Sequence, residues 1–378
     1  MYSEIKVINK EHTEFNLSRL RVKTKFKLIV FNCVYDNFSD SYDWMEEHNS
    51  EDTLVVFWHP VEVGHWDQSW IDRLNQKIKG KKFSFVYLTG AGPESNLNKF
   101  FNIDFDVKYF TAFDMRVVEM WNSTTGWENP PGPLDVMIHK YKHFTCLNRK
   151  DAVHRRYVLS RLYQSELLGN GVVSYQMADN GDVFLGDNDL NKNYGFTEAG
   201  IDYIKAQSKK TPPLPFYIED HEPNNQSNFP IDVCCALYRN KHYNTYANLV
   251  GETFFTYPTN SFKQTFLTEK TFNAIACNQI FFIVGHPHSL RLLKQLGYKT
   301  FDSVIDESYD DVVSHQERLF TVTREAIKFL NRPEEEISND YKKVIPIIEH
   351  NRDLLFKQTL KYKMQKFFDD HYNQQTTV

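Results

Sequence analysis

Four consecutive residues, Thr268-Glu269-Lys270-Thr271, carry the groups that a phosphorylated ligand requires. They stand where Thr268–Cys277 (TEKTFNAIAC) predicts the start of a helix. A helix start has unpaired N–H groups and a partial positive charge. A lysine and two hydroxyls added there make an anion site suited to phosphates. Glu269 beside them could accept both hydroxyls of a ribose, so the four residues could hold the two polar ends of a nucleotide diphosphate. The same four residues also fit a capped helix with a surface ion pair, and spacing alone does not separate the two.

A second basic group lies in Asn148-Arg149-Lys150-Asp151-Ala152-Val153-His154-Arg155-Arg156. It falls at a strand-to-helix junction, with Asn148–Asp151 as the turn and N-cap, and open α/β sheets bind ligands at such junctions. Its three arginines and one lysine could neutralise a diphosphate leaving group, or the run could be a solvated basic face. Gly285-His286-Pro287-His288 follows an apolar strand. The two histidines lie on a turn with no third ligand at suggestive spacing, which favours loop or ligand-contacting roles over a metal. Asp306-Glu307 and Asp310-Asp311 form an acidic cluster, read most simply as capping a helix that begins near Tyr309. Candidates for a general base come from the first third of the chain: His59, Glu62 and His65 after the strand that ends at Trp58, and Asp114 after an apolar segment.

The elements that must position these residues read as α/β. Lys27–Val34, Thr53–Trp58 and Lys81–Leu88 are apolar runs that suit buried strands. Ser69–Lys79 between the last two places Trp70, Ile71, Leu74 and Ile78 on one helical face and is stopped by Gly80, which makes a parallel βαβ unit. Asn122–Pro133 (NSTTGWENPPGP) is a loop or hinge. Beyond it, strands are expected at His143–Leu147, Val172–Gln176, Leu249–Thr253 and Gln279–Gly285. Helices are expected at Ala152–Leu168, Thr268–Cys277, His288–Leu296 and Tyr309–Leu330, followed by Glu334–Tyr372 in two pieces around Pro346.

Composition sets the class. The chain has 378 residues, 41% hydrophobic and 25% charged, with 30 Phe and 21 Tyr. This suits a soluble globular protein with a ring-rich core, not a disordered chain or a coiled coil. No apolar run approaches the ~20 residues of a membrane helix, and the first residues have no apolar signal region. Five scattered Cys without a C-x-x-C argue against a disulfide framework or structural zinc and for a reducing cytoplasm. The net charge of −5 does not advertise nucleic-acid binding through bulk charge. Any such contact would fall to local basic stretches such as Lys77–Lys82, Lys140–His143 and Lys205–Lys210.

Phe266–Asp311 (FLTEKTFNAIACNQIFFIVGHPHSLRLLKQLGYKTFDSVIDESYDD) resembles the nucleotide-sugar-binding segment of GT-B glycosyltransferases, a phage-encoded group among them. The Thr-Glu-Lys-Thr-Phe core and the apolar strand ending in Gly285 also resemble the α-1,3-fucosyltransferases and, more distantly, exostosin-like enzymes. His143–Tyr175 fits the opening of the same domain. One departure is Cys277-Asn278-Gln279, where many such proteins carry a glycine before the strand. The resemblance implies an α/β protein of GT-B type: two facing Rossmann-like domains with a cleft between them and a helical C-terminal extension. Residues 1–135 would form the acceptor domain, 136–335 the nucleotide-sugar-binding domain, and 336–378 helices packing back across the boundary.

By the same resemblance Glu269 would bind ribose and Lys270 the diphosphate, with Thr268, Thr271, Arg149, Arg155, Gly285 and His286 around the donor. His59, Glu62 or Asp114 would supply the base. The donor would be a UDP- or GDP-linked sugar, with no obligatory metal. The expected activity is glycosyl transfer to a hydroxyl. A Lys/Asn/Phe/Tyr-rich, phage-like chain makes 5-hydroxymethylcytosine in double-stranded DNA the leading acceptor, in a host cytoplasm. Transfer to a glycan, lipid-linked sugar or protein is the alternative, and a non-catalytic binding protein of the same fold is the third.

Overall fold

The computed structural model describes residues 2–8, 21–32, 44–59, 68–90, 92, 101–125, 132–137, 140–148, 151–175, 195–213, 216–217, 245–257 and 264–373. In chain order the strands are β1 (Tyr2–Ile8), β2 (Arg21–Lys23), β3 (Lys27–Asn32), β4 (Thr53–His59), β5 (Ser84–Thr89), β6 (Asp106–Tyr109), β7 (Lys142–Asn148), β8 (Gly171–Tyr175), β9 (Phe216–Tyr217), β10 (Thr245–Gly251) and β11 (Ile280–Val284). The helices are α1 (Trp44–Glu47), α2 (Gln68–Ile78), α3 (Phe113–Thr125), α4 (Pro133–Met137), α5 (Val153–Gln164) and α6 (Glu198–Ser208). They continue with α7 (Glu269–Ala276), α8 (Ser289–Gln295), α9 (His315–Leu330), α10 (Glu334–Phe356) and α11 (Leu360–His371).

These elements form two compact units, both α/β. The first comprises Met1–Met115, Phe262–Phe266 and Lys357–Val378, and the second Arg116–Ser261 and Leu267–Phe356. The first unit carries a sheet of order β2-β1-β3-β4-β5-β6, parallel except for β2. Alternation along β4 sends Leu54, Val56 and Trp58 to one face and Val55 and Phe57 to the other. Both faces are therefore buried, as parallel sheets require. Trp70, Ile71 and Leu74 of α2 cover the second face. Leu360, Met364, Phe367 and Phe368 of α11 cover the first. Each such side chain contributes roughly 2 kcal/mol of burial. The last helix of the chain is thus part of the first unit's core.

The second unit is built on the order β11-β10-β7-β8-β9, in which only β9 is antiparallel. After β7 the chain pairs β8 on one side; it later returns to place β10 and β11 on the other. The order therefore reverses between β7 and β10. In open parallel sheets the carboxyl ends flanking such a reversal diverge and leave room for a ligand.

Three local expectations are corrected. The predicted break at Pro346 does not occur; α10 runs through it and ends at Phe356. Proline forfeits one helix bond, but Ile337, Tyr341, Val344, Ile348 and Leu355 keep one buried stripe across it, and packing outweighs the loss. The break comes later, where Thr359 caps α11 by accepting from the Tyr362 N–H. The helix expected from Tyr309 begins instead at His315, capped by Ser314. Finally, Asp151 does not cap α5, whose N-cap is Ala152 without a side-chain bond. The Asp151 carboxylate accepts from the Arg156 guanidinium and the Tyr175 hydroxyl instead, fastening α5 to the end of β8.

Candidate functional site

At the carboxyl ends of β10 and β11 lies a carboxylate the sequence did not single out. Glu252 is 0% exposed and follows β10 directly. Its two oxygens accept the Thr268 N–H at 3.1 Å, the Thr268 hydroxyl at 2.5 Å, the Thr271 hydroxyl at 2.6 Å and the Thr253 N–H at 3.1 Å. A buried carboxylate needs such donors, since desolvation alone would be costly. Glu252 thereby fixes the first turn of α7. Two glycines make room for this arrangement. A Cβ on Gly285 would meet the Glu252 side chain at 3.1 Å, and one on Gly251 would meet Asn148 Oδ1 at 2.7 Å and Arg155 Cγ at 3.1 Å.

Thr268 and Thr271 therefore spend their hydroxyl protons on Glu252. Thr268 is the N-cap of α7, its oxygen accepting from the Lys270 N–H. Glu269 and Lys270 present the charges. The Lys270 ammonium lies 2.7 Å from Glu269 Oε1, 3.1 Å from the Thr253 hydroxyl and 3.3 Å from that of Thr268. Burial raises the Glu269 carboxyl, but Lys270, a backbone N–H and Arg116 together hold it below its ordinary value. Arg155, whose pKa burial lowers, also lies in the field of Glu252 and Glu269. Three cations, Lys270, Arg155 and Arg116, thus act on the start of α7 beside two carboxylates. The excess positive charge and the helix start suit a polyanion.

The flanking histidines are neutral. His154 is held well below its ordinary pKa by burial and by Arg155, and its Nε2–H donates to the Glu252 carbonyl at 2.9 Å. His286 is pushed down to about 3 by burial and Arg318. Its Nε2–H points to the Thr256 carbonyl at 3.4 Å, leaving a buried Nδ1 without a hydrogen-bond partner among the described residues. Arg318, 2% exposed, donates to the carbonyls of Gly285 and Phe255 at 3.1 and 2.8 Å and to those of Val312 and Val313. It stitches together the chain leaving β10, the turn after β11 and α9.

Placement of the other sequence candidates is plain. His59 ends β4 in the first unit; Glu62, His65 and Arg149 lie outside the described residues. Asp114 is 3% exposed at the start of α3, with both oxygens 2.8 Å from the Lys363 ammonium of α11. Burial pushes its carboxyl up, opposed by that lysine. In the acidic cluster, Asp310 accepts from the Leu290 and Arg291 N–H groups at the start of α8. Glu307 accepts from the Phe301 N–H and the Thr300 hydroxyl. His288, Asp310 and Asp311 come within 4.8 Å of one another, a spacing open to a cation, although Asp311 already pairs with Arg291. Within the basic stretch Lys140–His143, Lys140 is buried and unavailable to phosphate, its ammonium 2.6 Å from the Thr245 carbonyl.

Sequence reasoning missed Glu252, Arg116 and Arg318. Two of them left a signal. Glu252 is a charge directly after an apolar strand and a glycine, and Arg318 falls on the buried stripe of α9 with Leu319, Val322 and Ala326.

No protein-family model matches the chain, and no curated protein matches it. Among solved structures it is similar to a UDP-forming α,α-trehalose-phosphate synthase from Burkholderia xenovorans, at 11% identity over 90% of this chain and 67% of that one, with a TM-score of 0.34. It is also similar to an α1,3-fucosyltransferase, at 10% identity over 88% of this chain and 91% of that one, with a TM-score of 0.33.

Proposed function

We propose that the chain is a glycosyltransferase of GT-B type that uses a nucleotide-diphosphate sugar. The observation that carries the reading is the start of α7. It lies beside the strand-order reversal of a parallel sheet, with its N–H groups braced by Glu252 and with Lys270, Arg155 and Arg116 acting on it. Cleavage of the sugar–phosphate bond leaves a nucleoside diphosphate whose negative charge grows in the transition state. Fixed cations and a helix start stabilise that charge without reorganising. Lys270 and Arg155 take the diphosphate, and Glu269 accepts from the ribose hydroxyls. For the ammonium to turn toward phosphate it exchanges its contacts with Glu269 and Thr253. The acceptor hydroxyl gives its proton to a carboxylate or imidazole, for which His59 and Glu62 stay candidates; Asp114 already has Lys363 as its partner. In this reading Lys270, Arg155 and Arg116 supply the positive charge that stabilises the leaving group, with no obligatory metal.

For the acceptor we propose a hydroxyl, with 5-hydroxymethylcytosine in duplex DNA tested first and a glycan, lipid-linked sugar or protein tested beside it. Lys77, Lys79 and Lys82 are exposed on the first unit and suit phosphate contacts. The decisive experiment is calorimetric titration with UDP-, GDP- and ADP-linked sugars. One of them should bind, and Glu269→Ala and Lys270→Ala should each weaken it at least ten-fold while the melting temperature holds. Equal affinity in both variants would place the donor elsewhere. Product analysis on hydroxymethylated DNA and on mixed glycan acceptors then separates the acceptor classes.

A further inference from the structure

His286 stands two residues beyond the end of β11, in the turn that leads to α8, and is 5% exposed. Its Nε2 lies 3.4 Å from the Thr256 carbonyl, which can only accept, so that nitrogen carries the proton. In a neutral imidazole the other nitrogen, Nδ1, is then an acceptor. A doubly protonated ring would put a second buried cation in the field of Arg318, which opposes it. Nδ1 is enclosed, yet no N–H or O–H reaches it among the described residues. An enclosed acceptor without a donor has given up water and gained nothing in return, a cost that a ligand can remove.

The backbone around this ring is held on both sides. Arg318 donates to the Gly285 carbonyl at 3.1 Å, and the Ser289 hydroxyl donates to the His286 carbonyl at 2.7 Å. Gly285 also ties the turn to the start of α7. A Cβ there would meet the Glu252 side chain at 3.1 Å, and the Glu252 carboxylate holds the hydroxyls of Thr268 and Thr271 in the first turn of that helix. The oxygens of a diphosphate only accept, so Nδ1 takes a different part of the ligand, one with a proton to give. In the nucleotide-sugar reading above, on which this inference rests, the ribose hydroxyls fall to Glu269. The transferred sugar is joined to the outer phosphate and carries several hydroxyls. We infer that His286 is a specificity residue for that sugar, its Nδ1 accepting the proton of one sugar hydroxyl beside the diphosphate subsite. The bond to Thr256 is longer than the usual range, which leaves the ring slack to turn Nδ1 toward a ligand. A site built to accept a hydroxyl rejects an analogue that lacks it, because the acceptor is again left without a donor.

The test titrates the intact protein with UDP-glucose, UDP-N-acetylglucosamine, GDP-mannose, GDP-fucose and ADP-glucose, and with UDP, GDP and ADP alone. His286→Asn keeps an acceptor where Nδ1 stands, and His286→Gln keeps only an N–H where Nε2 stands. In His286→Gln the best sugar nucleotide should bind about ten-fold more weakly, the effect of one hydrogen bond, while its nucleoside diphosphate binds as in the wild type. His286→Asn should stay within about three-fold of the wild type for both. Monodeoxy forms of the best donor's sugar give a readout on the unaltered protein. One of them should bind the wild type about ten-fold more weakly, and His286→Gln should not distinguish it from the parent sugar. Wild-type affinity for the sugar nucleotide in His286→Gln overturns the inference. So does an equal loss of the nucleoside diphosphate, which would give the nitrogen to the base or ribose, an equal loss in both variants, which would make the ring a structural prop, or a wild type indifferent to every deoxygenation. Each of these leaves the donor reading standing. A wild type that binds no sugar nucleotide overturns both readings together.

Discussion

Lys140→Met isolates the pH dependence of the second unit. Lys140 is 6% exposed, donates to the Thr245 carbonyl and stands 4.7 Å over the Tyr341 ring. Burial lowers its amine from 10.5 to about 7, against which the nearby Cys277 thiol works. In the unfolded chain the amine returns to its ordinary value. Between pH 7 and pH 10.5 the unfolded state therefore binds more protons than the folded one, and stability rises with pH across that window. Integrating from pH 7 to pH 9 with those two values gives about 2 kcal/mol in favour of the folded wild type. Methionine keeps the buried stem and carries no proton, so the variant lacks this slope. Urea unfolding of both proteins, followed by far-ultraviolet circular dichroism at pH 7, 8 and 9, reads it directly. The difference between them should move by about 2 kcal/mol toward the wild type as pH rises. A difference that stays constant to within roughly 0.5 kcal/mol would show that the folded protein keeps the amine charged, and the desolvation argument would fail.

Two further predictions bear on the site and its frame. Glu252→Gln puts an amide N–H₂ against donors that a carboxylate satisfied; it should cost about 2 kcal/mol of stability by denaturant unfolding and weaken the donor about ten-fold by calorimetry. Unchanged donor affinity would show that the brace on α7 is dispensable. Asp114→Asn strands the Lys363 ammonium in the first unit's core and should cost about 3–5 kcal/mol, much of it recovered in Asp114→Asn/Lys363→Met. A single variant of wild-type stability that loses transfer activity would instead return Asp114 to the chemistry.

Strands β3, β4, β5, β7, β8 and β11 were readable because a buried parallel strand is a short apolar run with hard ends, whereas β1, β2, β6 and β9 were not read, and β10 runs Thr245–Gly251 where Leu249–Thr253 was expected. Gln279–Gly285, observed as Ile280–Val284, and Thr53–Trp58, observed as Thr53–His59, each agree to within a residue at either end. The donor-binding candidates at Thr268–Thr271 were readable because a helix start announces itself by local chemistry, and Thr268 does cap α7. What those side chains spend their hydrogen bonds on was not readable. Thr268 and Thr271 serve a glutamate 16 and 19 positions upstream, brought to them only when β10 pairs with β11. Pro346 shows the same limit from another side, since a local breaker yielded to a stripe of packing that spans it.

The sequence by itself determined the class of fold, the short apolar strands and the charged start of α7, because these follow from periodicity and capping within about ten residues. Tertiary structure alone decided that Arg318 clamps two strand exits, that Lys363 meets Asp114 across 249 positions, and that Nδ1 of His286 is enclosed without a donor among the described residues. Hydrogen bonds and burial are settled by whichever groups the folded chain brings within about 3 Å, and separation along the chain carries no information about that distance.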